Sequence, residues 1–245
     1  IVVAAAEAPA FSFGVFHVAA LSFFAATILW RLVAAAISRR PQFPLAARSQ
    51  WPAYTILCPL YREANVVAEL VAALGRFDYP QHKLDVKLLV EQDDPTTIAA
   101  ACLAAANAPH IEVVVLPPAA PRTKPKALNA GLARARGEFL CVFDAEDRPH
   151  PQQLSAALAA FESGGGELAC VQAPLAIHNS KDSWIARQFA AEYAIQFTQA
   201  LPLLARLGMP LPLGGTSNHF RTDALRAVGG WDPFNVREKV RAFVA

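Results

Sequence analysis

Apolar positions along this chain fall into three regimes. From Ala8 to Trp30 there is no formally charged side chain, and Phe, Ala, Leu and Val dominate. That is about the length of a helix that crosses the hydrocarbon core of a bilayer. From Tyr54 to Gln172 short apolar runs alternate with helical patterns, the order expected of an α/β fold. Between Ser183 and Leu204, Ile185, Phe189, Tyr193 and Phe197 recur at four-residue spacing with Arg187 and Glu192 off the stripe. That periodicity predicts an amphipathic helix, suited to core packing or to lying along a bilayer surface.

Within the middle regime the pattern predicts strands at 54–60, 86–90, 111–116, 139–143 and 168–172, with helices at 64–74, 96–106, 126–136 and 151–161. A Pro-rich loop separates the third strand from its helix, and Gly164-Gly165-Gly166 closes the last helix. Polar residues collect where strands end. Glu91-Gln92-Asp93-Asp94 follow the second strand, and Asp144, Glu146 and Asp147 follow the fourth. Ligands of open α/β sheets bind beyond the carboxyl ends of strands, so both clusters would face one crevice. No GxGxxG follows the first strand, which argues against dinucleotide binding.

Flanking charge orients the first segment. Arg31, Arg39, Arg40 and Arg48 follow it and only Glu7 precedes it, so the positive-inside rule places the remainder in the cytoplasm. A signal peptide needs basic residues before its apolar core. The alternative is a buried helix of a soluble protein. Ile1 rather than Met at the start suggests a fragment of a longer chain. The expected organisation is a transmembrane segment (1–38), a Pro-marked linker (39–53) and a catalytic domain (54–245). Length adds little, since 245 residues allow one α/β domain with a short appendage. A net charge of +2 without basic runs gives no reason to expect a nucleic-acid partner. Cys58, Cys141 and Cys170 lie inside apolar runs and no CxxC occurs, which suits buried, reduced thiols.

The strongest chemical signal is Asp144-Ala145-Glu146-Asp147, directly after the apolar run 139–143. Alternate residues of an extended chain share a face, so Asp144 and Glu146 would share a target. Like charges this close invite a hard cation, and Mg²⁺ is commonly held by one or two carboxylates plus substrate phosphates. Helix-start acids in a solvated loop are the plainer reading, because Pro149 and Pro151 mark a helix nearby.

Several motifs in order resemble family 2 glycosyltransferases, from about Tyr54 to Val236. Asp-Ala-Glu-Asp resembles the family's Asp-x-Asp element, with Asp144 and Glu146 implied as ligands of Mg²⁺ or Mn²⁺. Asp93-Asp94 resembles the acidic pair that contacts the donor nucleoside. Thr123-Lys124-Pro125-Lys126 with the following Asn129-containing helix is similar to the Lys-bearing loop, implying Lys124 or Lys126 at the diphosphate. Gly214-Gly215-Thr216-Ser217-Asn218 and Gly230-Trp231-Asp232 resemble the acceptor-side region of the membrane-integrated, cellulose-synthase-like branch, where Trp231 would stack on a sugar.

The resemblance implies a GT-A-type Rossmann-like mixed sheet flanked by helices. It further implies an inverting transfer from a UDP- or GDP-sugar to a saccharide or lipid acceptor, at the cytoplasmic side of the inner membrane, in polysaccharide synthesis. One departure stands out. The family places Thr-Glu-Asp, carrying the general base, after an Asn-Val pair, whereas Asn235-Val236 here is followed by Arg237-Glu238-Lys239. Glu238 is a weak substitute, since its cationic neighbours lower its basicity. The expectation is therefore a C-terminally truncated member, with a catalytically impaired binding or scaffold protein as the alternative.

Overall fold

The computed structural model describes residues 9–37, 48, 50–118 and 120–234. By internal contacts the chain divides into two units, one of residues 1–41 with 176–209, the other of 42–175 with 210–245.

The second unit is built on a six-stranded sheet of order β3-β2-β1-β4-β6-β5. Its strands are β1 (Tyr54–Leu60), β2 (Leu84–Glu91), β3 (Ile111–Leu116), β4 (Phe139–Val142), β5 (Cys170–Gln172) and β6 (Asn218–Arg221). β1 pairs in parallel with β2 and β4, and β2 with β3, while β6 runs antiparallel to both β4 and β5. Near-continuous apolar runs in β1 and β4 reflect burial on both faces, and β2 is buried throughout although Asp85 and Lys87 stand in its first half.

One face packs Ile56, Cys58, Leu88, Val90 and Cys141 against α2 (Val67–Leu74), α3 (Pro95–Ala105) and α5 (Gln153–Gly164). The other packs Leu57, Leu89, Leu140 and Val142 against α4 (Lys124–Arg134) and Leu225 of a short helix, Thr222–Ala227. α4 approaches the sheet closely, for a Cβ at Gly131 would lie 2.8 Å from Leu57 Cδ2 and 2.9 Å from Leu89 Cδ1. The free cysteines Cys58, Cys141 and Cys170 are buried as expected, and Cys102 is exposed.

Strands β1 and β3 keep their expected bounds, whereas β4 ends at Val142, one residue earlier than expected. α4 begins two residues early because the Thr123 hydroxyl accepts from the Lys126 amide (3.4 Å) and Pro125 occupies its first turn. β6 escapes the sequence pattern altogether. Four residues carry no usable periodicity, and its place comes from pairing with β4 and β5.

In the first unit, α1 (Pro9–Ile37) holds a 27-residue stretch, Ala10–Ala36, of mean hydropathy 1.9 that is almost wholly exposed. It is long and apolar enough to cross a membrane. Near its end Ala34 is buried, and Trp30, Arg31 and Ala34 line a small hollow with Glu192, Ile195 and Gln196. The expected amphipathic helix is present as α6 (Trp184–Ile195), a π-helical turn (Gln196–Ala200) and α7 (Leu201–Arg206). Ser183 caps it by accepting from the Ala186 amide at 3.0 Å. Pro202 follows the π turn; lacking an N–H, it cannot bond to the carbonyl four residues back, and the wider turn absorbs that gap. Trp184, Ile185 and Phe189 form an exposed apolar face, while Phe197 is buried.

Candidate active site

A cavity of about 410 Å³ opens beyond the carboxyl ends of β1, β2 and β4. The chain goes outward from β1 to β2 and β3 on one side and reaches β4 on the other, so this is the switch point of the parallel strands. Its wall includes Tyr61, Glu63, Glu91, Arg122, Lys124, Asp144 and Glu146.

After Val142 the chain leaves the sheet in a tight turn. The Asp147 amide donates to the Asp144 carbonyl (3.1 Å), and the Asp147 carboxylate accepts from the Asp144 amide (2.7 Å) and the Thr216 hydroxyl. Strand alternation therefore does not align Asp144 with Glu146, because the strand has already ended. The turn brings both to the cavity wall instead. Asp147 is kept above the usual carboxylate range by burial; the bonds from Thr216 and Asp144 oppose this, and the charges of Asp144 and Glu146 reinforce it. Glu63 is raised as well, first by burial and further by Glu146 and Asp144.

The two candidate lysines are separated by their partners. Lys124 donates to Asp144 Oδ1 and to the Gly215 carbonyl (2.7 Å) at the cavity wall. Lys126 is held by Glu91 (3.3 Å) and the Pro117 carbonyl (3.2 Å). Of the acidic pair, Asp93 bonds to Arg122, whose side chain lines the cavity. Asp94 caps α3, accepting from the amides of Thr97 (3.2 Å) and Arg62. Burial pushes the Asp94 carboxyl upward, but those bonds outweigh it and leave it below the usual range. Each of its oxygens thus accepts a bond within the protein, and the side chain is largely buried where the sequence suggested contact with a nucleoside. Glu63 and Arg122 were not singled out from sequence, and Glu91 was noted only as part of the polar run after the second strand. Their signal was position, immediately after β1, at the end of β2 and in the loop before α4.

The acceptor-side residues divide too. Gly214 and Gly215 are the more accessible, whereas Thr216, Ser217 and Asn218 are buried. The Gly214 amide donates to Gln172 Oε1 (2.7 Å), and the Ser217 amide to the Val142 carbonyl (2.8 Å). Trp231 departs from its expected role. Its ring is 3% exposed and meets Phe220 edge-on at 5.9 Å, so no face is offered to a sugar. Its backbone is pinned by Asn129, which accepts from the Trp231 amide (2.9 Å) and donates to its carbonyl (2.8 Å). Asp232 stays partly accessible beside it, accepting from the Phe234 amide at 3.1 Å. His219 is a core residue between Tyr54 and Gln153, and burial lowers its pKa to about 3. Glu238 lies outside the described residues.

Among the described residues no three His, Cys, Asp or Glu side chains converge on a ready-made metal site. The donor set nevertheless fits a hard cation. Asp144 and Glu146 supply carboxylate oxygens at the edge of an open cavity, leaving coordination positions for phosphate oxygens and water.

Residues 52–241 match the family model described as glycosyltransferase like family 2. The chain belongs to this family. One relative, the beta-monoglucosyldiacylglycerol synthase of Nostoc sp. (strain PCC 7120), is 28% identical over 185 residues, which cover 74% of this chain and 38% of that protein. The chain thus spans about two fifths of the length of that curated relative. Among solved structures, the Pyrobaculum calidifontis mannosyltransferase in complex with GDP-Man and Mn²⁺ is similar with a TM-score of 0.60 and 21% identity, covering 87% of this chain and 57% of that one. S. aureus TarS 1–349 in complex with UDP-GlcNAc is similar at 0.54 and 16%, covering 78% and 52%. These likenesses bear out the GT-A-like fold of this family 2 domain.

Proposed function

We propose that this chain is the catalytic part of a membrane-anchored, inverting, metal-dependent hexosyltransferase that takes its sugar from a UDP- or GDP-sugar. The observation that carries the proposal is the switch-point cavity, where Asp144 and Glu146 share one wall with Lys124 and Arg122. Carboxylates for a cation beside cations for phosphate suit a metal-bound diphosphate better than either set alone.

In this reading residues 1–38 span the membrane, 39–53 link, and 54–245 form the catalytic domain on the cytoplasmic side. Asp144 and Glu146 would hold Mg²⁺ or Mn²⁺, which supplies Lewis-acid stabilisation of the departing diphosphate. Lys124 and Arg122 neutralise the phosphates. Asp93 positions Arg122, and Asp94 shapes the nucleoside end by fixing α3 and the Arg62 amide. The backbone of Gly214 and Gly215, with Asp232, forms the acceptor side. An acceptor hydroxyl attacks the anomeric carbon and releases its proton to water, the bond from that carbon to the diphosphate breaks with its electron pair leaving on the diphosphate oxygen, and configuration inverts. The acceptor is a saccharide or lipid hydroxyl at the membrane, and the named product of the Nostoc relative favours a lipid. The exposed face of Trp184, Ile185 and Phe189 would rest on the bilayer surface.

Calorimetric titration of UDP and GDP into the full chain in detergent tests this, with Mn²⁺ and with chelator. Binding by the wild type that requires metal and is lost in Asp144→Ala is expected. A folded chain that binds neither nucleotide overturns the donor site. Binding without sugar transfer to any offered acceptor would favour the scaffold alternative.

A further inference from the structure

We infer that the Lys124 ammonium is a built-in counter-cation for Asp144, which keeps the metal position closed until a nucleoside diphosphate draws it away. The inference rests on the donor site proposed above and goes beyond it, because it makes metal binding conditional on the nucleotide.

Lys124 reaches across the cavity wall from the first residue of α4 and bonds at once to Asp144 Oδ1 and the Gly215 carbonyl. Both charged side chains are about seven-tenths buried, with 27% of Lys124 and 29% of Asp144 exposed, so solvent screens the pair only in part. The base of the lysine is fixed by the Thr123 cap and by Pro125, while the rotatable bonds of its four-carbon stem let the ammonium exchange one anionic partner for another. Lys126 cannot take its place, being held by Glu91 and the Pro117 carbonyl. Three carboxylates, Glu63, Asp144 and Glu146, share this wall, and Lys124 is bonded directly to one of them.

A divalent cation at Asp144 must displace the ammonium, and the two cations repel one another. A diphosphate removes the conflict, since it offers oxygens to the cation and an anionic partner to Lys124. Metal and nucleotide therefore assist each other, by the same factor in either direction. A lysine that only contacts phosphate behaves otherwise, for its loss weakens nucleotide binding and leaves binding of the metal alone unchanged.

The test is Mn²⁺ uptake by the full chain in detergent, read from the electron paramagnetic resonance signal of free Mn²⁺. It is run with and without UDP or GDP, corrected for Mn²⁺ held by free nucleotide, with thermal unfolding as the folding control. Wild-type protein is expected to bind Mn²⁺ about tenfold more tightly when nucleotide is present. Lys124→Gln is expected to bind Mn²⁺ alone about tenfold more tightly than wild type, to bind nucleotide less well, and to keep only the smaller coupling that comes from phosphate oxygens on the cation. Lys124→Arg, which keeps the charge, is expected to bind Mn²⁺ alone as wild type does. Unchanged or weaker Mn²⁺ binding in folded Lys124→Gln overturns the inference. So does uncoupled binding of Mn²⁺ and nucleotide by wild type, an outcome that leaves the donor site standing. If folded wild type takes up neither, the donor site fails and the inference with it.

Discussion

Charged clusters sit at both ends of the β1–β2 pair, and the two ends are built differently. Near their amino-terminal ends, Asp85 accepts from the Thr55 hydroxyl (2.9 Å) and from the Arg136 backbone amide and guanidinium. Lys87 lies 2.8 Å from the same carboxylate and also bonds to Glu112. The side chains of Asp85 and Lys87 are only 5% and 2% exposed. At the carboxyl ends, Glu63, Asp144 and Glu146 line an open cavity with Lys124. A buried and fully paired cluster specifies register. Thr55 and Asp85 are partners in the β1–β2 ladder, and a slip of one residue would turn Asp85 to the opposite face. A half-open cluster with carboxylates crowded together instead leaves room for a ligand's charges.

The comparison is most directly broken by substitution at the buried end. Asp85→Ala leaves the buried Lys87 ammonium with the half-exposed Glu112 as its remaining carboxylate partner and is expected to cost about 3–5 kcal/mol in denaturant unfolding. Asp144→Ala should cost less than about 1 kcal/mol in the same assay, because its pair with Lys124 is partly solvated. Equal losses at the two sites would erase the distinction. An intermediate effect is expected at the turn after β4. Thr216→Val removes the hydroxyl that donates to Asp147 and should cost about 1–2 kcal/mol, checked by the same unfolding curves.

The smallest effect is a difference in pH dependence. Burial alone would raise the Asp85 carboxyl, but bonds from Lys87, Arg136 and Thr55 more than reverse this and hold it below the usual range. Its contribution is therefore present above the usual carboxylate pKa and is lost as pH falls through the depressed folded value. Glu63 has the opposite sign. Its folded pKa is raised, so its contribution is present below the usual value and is lost as pH rises to the raised one. Glu63→Gln should match wild type in unfolding midpoint near pH 4 and exceed it above about pH 6. A variant less stable than wild type at the higher pH would show that Glu63 is held by attraction instead of crowding.

Local burial was written legibly into the chain. β1 and β3 follow their apolar runs residue for residue, and the uncharged stretch after Ala8 becomes α1. The acidic group after β4 was legible too, since strand ends place polar residues at one crevice. The less legible parts depend on partners distant in sequence. Trp231 reads as a candidate sugar platform until Phe220 and Asn129 enclose it. Asp94 reads as open until the Arg62 amide and the α3 cap occupy it.

By itself, then, the sequence determined the α/β alternation, the apolar helix at the start and the strand-end carboxylates, because periodicity reports which residues each element buries. Tertiary structure alone decided that β6 enters the sheet antiparallel between β4 and β5, and that Arg122 and Glu63 join the cavity wall. It also decided that Lys124 and not Lys126 meets Asp144, across twenty residues of sequence, with Gly215 a further 71 residues beyond Asp144. Which opposite charges meet is set by how strands and helices are stacked, and no local pattern encodes that distance.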